Sequence, residues 1–292
     1  MNSDEIVALT GLNTTYRYRA LEMLPDVEVR RYLQRTRSKF IPIAKKFDDG
    51  ANAVWLIRSY LSLKYLLAAT ILGTTEQYSE ERNVRVTRPY LIYYMIFNAA
   101  RAFIFSLPCV EWEEEKFVEM THSKTANVAA DRLQFLSKAT KRRHSERLEA
   151  ARNQREFFSY RFPATGLDIF GDDLIAIDDA IETARLFSDL TQANLACLEA
   201  VIRKHGKERY GFPDRDTIKK IADYGTDQQR LVDSDDIYRI GYFLRKLRCP
   251  VELASLATEG LIEDFFGRWY DPEDRDHSYN PDTDQNLLID LF

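Results

Sequence analysis

The sequence predicts an all-α fold. Three observations predict it. Long stretches run without a helix breaker, since only 11 Gly and 9 Pro occur in 292 residues. Apolar residues recur at three- and four-residue spacing, the period of an amphipathic helix. No stretch shows the strict apolar–polar alternation of a half-buried strand, and no internal repeat is visible. Composition excludes other classes. With 45% hydrophobic and 30% charged residues, collagen-like, low-complexity and disordered chains are ruled out. Cys109, Cys197 and Cys249 are too few and too scattered for a disulfide scaffold and suggest reduced thiols in the cytoplasm. No CxxC or Cys/His cluster supports a structural zinc site.

The elements follow in order. Residues 26–47 read as a first helix with a basic outer face (Arg30, Arg31, Arg35, Arg37, Lys39), and Pro42 is expected to bend or interrupt it. Asp48, Asp49 and Gly50 form a break. Residues 51–73 make the next helix, with Gly73 as its C-cap. The polar stretch 74–88 reads as a loop, after which Pro89 suits the first turn of a helix running to about Leu107. The segment Glu111–Glu119 is acidic around Trp112. Helical spacing resumes over Thr125–Phe162, with a break expected near His144, and Pro163 and Gly166 stop it. A long helix over 172–205 is capped by Gly206, and Tyr210–Asp214 form a turn in which Asp214 caps a short helix to Tyr224. Ser234 or Asp235 opens another helix to Leu247, and Pro250 starts a last one that fades near Trp269. From Asp271 the chain is Asp-rich and loosely patterned until the apolar patch LLIDLF.

Neither apolar run suits a membrane. Residues 53–72 carry Arg58 and Lys64, and residues 90–105 carry Arg101 and fall short of a span. The start, MNSDEIVALTGLNTTYRYRA, lacks a basic region followed by an apolar one, so no targeting segment is expected. A soluble, cytoplasmic protein with no membrane partner is the expectation. The net charge of −5 hides a split: residues 1–161 hold 26 basic and 19 acidic side chains (+7), residues 162–292 hold 15 and 27 (−12). Either the first half meets a polyanion, or the two halves attract each other.

The segment Tyr93-Tyr94-Met95-Ile96-Phe97-Asn98-Ala99-Ala100-Arg101-Ala102 resembles a signature helix of the HEPN superfamily, whose members often carry Tyr-Tyr-Ala-Met-Phe-His-Ala-Ala-Arg-Ala there. The surroundings are similar in order. A helix with Ser62, Leu63, Ala68 and Ala69 precedes it, His122-Ser123-Lys124 follows, and then comes an Arg-bearing helix over Leu148–Tyr160. The resemblance covers about residues 50–162. It implies an all-α, HEPN-like antiparallel helical bundle, with an N-terminal helix and a helical C-terminal extension. The expected division is 1–49 N-terminal segment, 50–166 HEPN-like core, 167–270 helical extension and 271–292 acidic tail. Packing alone also accounts for small residues and aromatics on one buried helix.

Active HEPN members are metal-independent ribonucleases that use an Arg, then a polar residue, with a His after four to six intervening residues. A His near neutrality can move the 2′-hydroxyl proton, and the Arg stabilises charge developing on the phosphate. Here Arg152 and Asn153 match the start of that motif, but Phe157, Phe158 and Ser159 stand at the three places allowed for the His. None of His122, His144, His205 or His277 has an Arg five to seven residues before it. His144 precedes Arg152 by eight residues, ~12 Å along an unbroken helix, which is too far for a paired site. Arg152 reads equally well as a structural residue paired with Glu149 or Glu156. Asn98 stands where many members have His.

The densest basic run holds Lys138, Lys141, Arg142, Arg143 and Arg147. It could contact nucleic-acid phosphates, or be an ordinary solvated helix face. Asp274, Asp276 and Ser278 alternate like a calcium loop, but Tyr279 sits where the loop needs Gly and Gln285 where it needs Glu. No metal and no cofactor are expected, and no Gly-rich phosphate loop or nucleophile elbow is present. The resemblance therefore implies a non-catalytic RNA-binding or complex-forming component, of the kind that acts in toxin–antitoxin or antiviral defence. Its implied partners are RNA, a nucleotidyltransferase-type protein and a second copy of the chain. An endoribonuclease with a relocated base and a protein–protein adaptor are the alternatives.

Overall fold

A computed structural model describes residues 1–108, 120–207, 210–211, 232–271 and 286–290. It is all-α: among the described residues helices pack on helices and no strand occurs. The acidic segment 111–119, the Asp214 cap with its short helix, and the Asp-rich stretch 272–285 lie outside the described residues.

Helix α1 (Ser3–Thr10) has no counterpart among the sequence expectations. It is set by a capping box, in which Asn2 accepts from the Glu5 amide and Glu5 accepts from the Asn2 amide. Gly11 ends it at φ 83°, a conformation that favours glycine. Helix α2 (Asp26–Lys45) is not interrupted at Pro42, which falls in its last turn, and it ends three residues later. Asp48 then caps α3 (Asp49–Glu81) by accepting from the Ala51 amide.

Helix α3 corrects two expectations. It runs through Gly73 to Glu81, so Gly73 is not a C-cap and 74–81 is not a loop. Thr74, Glu76 and Ser79 there are buried, and the side chains of Thr74 and Glu76 find partners within the helix or on the next one. Thr74 and Thr75 donate to the Ile71 carbonyl, and buried Glu76 and exposed-side Glu80 face Arg88 at 4.0 and 3.0 Å. Gly73 serves close packing instead. A Cβ there would lie 2.6 Å from Leu287 Cδ2 and 2.9 Å from Met95 Sδ. After a turn of 3-10 helix at Arg85–Thr87, α4 (Arg88–Ser106) opens with Pro89 in its first turn, as expected.

The next region forms two helices, α5 (His122–Leu133) and α6 (Lys138–Arg161). They part at 134–137, not at His144. Ser137 caps α6 by accepting from Thr140, and His144 is buried within α6, bonded at 3.0 Å to Thr183. Phe162, in a left-handed conformation, ends α6. A short 3-10 segment, Gly166–Asp173, occupies the start of the expected sixth helix, so α7 begins at Ile177 and runs to His205. Helix α8 (Ser234–Lys246) opens at Ser234, as expected, and Asp233, which the sequence reading did not single out, caps it. In place of one last helix there are two short ones, α9 (Leu253–Leu256) and α10 (Glu259–Phe266), parted at Ala257 and Thr258.

Helix α4 is the hub. It packs on α3, α5, α6 and α7, and α7 in turn packs on α2. One hydrophobic core runs from Ile6 through α3, α4 and α7 to Leu287, Leu288 and Ile289, and is continuous across positions 49 and 166. Helix α3 is the one described helix long and apolar enough to cross a membrane. Most of its apolar window is buried inside the bundle, so packing accounts for its composition.

Ion pairs join the two oppositely charged halves. Arg19 meets Asp290 at 2.7 Å, Arg85 meets Asp168 at 3.1 Å, and Arg143 meets Glu182 at 2.9 Å. Lys64 contacts Asp236, whose carboxylate also accepts from the Tyr60 hydroxyl at 2.5 Å. In every one of these pairs the cation belongs to 1–161 and the acid to 162–292.

Candidate functional site

The α4–α5–α6 face collects the side chains with the most chemical potential. Helix α4 supplies Tyr93, Tyr94 and Phe97, spaced so that all three rings reach the start of α5. There Thr121 caps α5 and places His122 at its first position. The imidazole stacks on Phe97, centroids 4.5 Å apart at 18°, and Tyr94 meets it edge-on. Its Nδ1 lies 2.6 Å from the Tyr93 hydroxyl.

Helix α6 brings two arginines one turn apart. The Arg155 guanidinium lies over the Tyr93 and Tyr94 rings at 5.0 and 5.4 Å and donates to the Tyr94 hydroxyl at 3.3 Å. Arg152 donates to Ser123, next to His122, at 3.3 Å and stands 3.8 Å from Glu156. The Nε groups of both arginines are buried and have no hydrogen-bond acceptor among the described residues. From α4, Arg101 stacks on Tyr65 at 4.3 Å and reaches toward Phe97 at 5.8 Å.

This setting shifts two protons. Burial first, then the cations Arg155, Arg101 and Arg152, hold the His122 imidazole below its ordinary pKa, against a smaller opposing effect of Glu156. Burial also pushes the Tyr93 hydroxyl up to about 12, so it keeps its proton. The tautomer then decides the chemistry. If Tyr93 donates to Nδ1, Nε2 carries the ring proton and donates, which suits a phosphate oxygen. If Nδ1 donates to Tyr93, Nε2 is a free base.

The sequence-derived residues divide between this site and other places. Arg152 is in it, paired with Glu156 rather than Glu149. Asn153, its neighbour in the motif, is exposed. His144 is not near it: the ring turns into α7 toward Thr183, and burial followed by Arg147 and Arg143 pushes its pKa down to about 4. Of the basic run, Lys141 pairs with Asp131 at 2.7 Å, Arg143 with Glu182 at 2.9 Å, and Arg147 with both Asp179 and Glu182. Lys138 and Arg142 are exposed, with no ion pair among the described residues. Sequence reading underrated His122 and missed Arg155. The signals for them were the His-Ser-Lys segment and the i, i+3 spacing of Arg152 and Arg155.

Among the described residues no group of three or more His, Cys, Asp or Glu could hold a metal ion. Comparison with family models, curated proteins and solved structures gives no match for this chain.

Proposed function

We propose that the chain is a cytoplasmic, HEPN-like RNA-binding component that joins larger assemblies, and that RNA phosphates contact the α4–α5–α6 face. The observation that carries this reading is the convergence of Arg152, Arg155 and His122, with Glu156 3.8 Å from Arg152. A guanidinium held over aromatic rings, as Arg155 is, suits phosphate, and Tyr94, the partly exposed ring of the three, can also accept a stacked base. The basic run on α6 contributes less in this reading, since acids already neutralise Lys141, Arg143 and Arg147. Binding of single-stranded RNA, followed by anisotropy in EDTA over a salt series, tests it. Replacing Arg152 and Arg155 together by Ala should weaken binding at least tenfold and lower the salt slope by about two. Unchanged binding with an unchanged slope would refute the reading.

A nucleotidyltransferase-type partner and a role in toxin–antitoxin or antiviral defence belong to the same proposal by resemblance. So does self-association through α6, whose end exposes Tyr160 (81%) and Phe162 (66%). Light scattering should show a dimer that Tyr160→Asp weakens.

One observation favours a second reading. His122 lies beside Arg152 and is held below its ordinary pKa, as a relocated ribonuclease base would be. Cleavage in EDTA that leaves 2′,3′-cyclic phosphate ends and is lost in His122→Ala would establish that reading over the non-catalytic one.

A further inference from the structure

Two basic runs, far apart in sequence, meet in the structure. Helix α7 ends in Arg203-Lys204-His205-Gly206-Lys207, and α8 ends in Arg245-Lys246-Leu247-Arg248. Between them lies a cavity of about 610 Å³, bordered by Arg203, Lys207, Lys246 and Arg248. Its apolar lining is Leu247 and Cys249, both half-buried, with Ile202 and Val251, both buried. A hollow of about 510 Å³ shares Lys246 and Arg248 and adds Arg245.

A basic last turn is common, because cations interact well with a helix C-terminus. That accounts for Arg203, Arg245 and Lys246. It does not account for Lys207, which lies beyond the end of α7 and borders the same cavity, as does Arg248 beyond α8. All five cations are exposed. Arg203 meets buried Glu199 at 2.5 Å, and Glu199 also accepts from the Glu252 amide. Lys207, Arg245 and Lys246 make no ion pair among the described residues. The concentration of cations is the more notable because residues 162–292 carry a net −12. Close packing keeps the cavity floor tight: at Gly206 a Cβ would lie 2.8 Å from the Ile202 carbonyl and 2.4 Å from the Tyr210 hydroxyl.

We infer that this cavity binds a nucleoside polyphosphate. Its volume lies in the range of small-ligand pockets. The cations match the several charges of a polyphosphate, and Leu247 and Cys249, the half-buried part of the lining, give a base an apolar surface. The site is separate from the Arg152–Arg155 face and does not depend on the reading given to that face.

Calorimetry on the full chain at physiological salt in EDTA tests it, with ATP, GTP, inorganic triphosphate, adenosine and a single-stranded RNA oligomer as probes. ATP or GTP should bind saturably with a Kd of about 1–100 μM, triphosphate more weakly and adenosine not measurably. Lys207→Glu with Lys246→Glu, both on exposed side chains, should weaken nucleotide binding at least tenfold. The Arg152→Ala, Arg155→Ala protein should bind nucleotide like the native chain. A second readout is Cys249, a half-buried thiol on the cavity wall. Nucleotide should slow its maleimide labelling, read at that peptide by mass spectrometry, and the double Lys variant should lose the protection. No saturable nucleotide binding, binding indifferent to the charge reversals, or binding of the RNA oligomer alone would each overturn the inference.

Discussion

At the scale of single residues, several side chains earn their identity from a neighbour distant in sequence. Gly73 leaves room for Leu287 and Met95, so Gly73→Ala should cost about 1–3 kcal/mol, as overpacking does, despite the better helix propensity of Ala. Denaturant titration should show the lower midpoint. His144 gives a pH signature. Its folded pKa, pushed down to about 4, lies below the unfolded value near 6.5. The imidazole is therefore neutral in both states above pH 6.5, and stability is lost as pH falls from there toward 4. The loss is on the order of 3 kcal/mol. Buried Asp189 and Glu76 act oppositely, since burial raises both to about 7 and their contribution is lost as pH rises from about 4 to 7. The test is a comparison: His144→Gln should gain melting temperature relative to the native chain as pH falls from 6.5 to 4.

At the scale of elements, the sequence shows helix identity better than helix ends. The apolar periodicity of α2, α4, α7 and α8 was legible, and Pro89 and Ser234 marked the starts of α4 and α8, whereas α7 starts later than its expected residue 172. The second half of α3 was not legible. Thr74, Glu76 and Ser79 read as solvent-loving, yet all three are buried, and the partner of Glu76 is Arg88, on the next helix. The α5–α6 boundary was misplaced because His144 looked like a polar interruption, while Thr183, its partner, lies 39 residues away. Hydrogen exchange tests the correction to α3. Backbone amides of Thr74–Glu81 should exchange as slowly as those of the first half of the helix rather than at loop rates. The candidate site was legible in part. Its aromatic helix and Arg152 stood out, but the contact between His122 and Tyr93 spans 29 residues and needs the α4–α5 packing to exist.

At the scale of the whole molecule, the charge split resolves partly into internal contact. Arg19, Lys64, Arg85, Arg143 and Arg147 all meet acids from the other half. The exposed pairs among them, Arg85–Asp168 and Arg143–Glu182, contribute little individually and serve register rather than bulk stability. The core supplies the stability, and it is continuous from Ile6 to Ile289. A fragment limited to residues 50–166 exposes the faces of α3 and α4 that α7 covers. Expressed alone, that fragment should unfold without a cooperative thermal transition, whereas the full chain should show one.

The stacking of His122 on Phe97 has a spectroscopic consequence. A ring centred 4.5 Å away and nearly parallel places the imidazole carbon-bound protons in the shielding cone of the phenyl current. Only four histidines occur in the chain, so their imidazole resonances form a sparse set. The His122 signals should stand apart upfield and return toward ordinary positions in Phe97→Leu, which makes this side chain a built-in reporter of whatever approaches the α4–α5–α6 face.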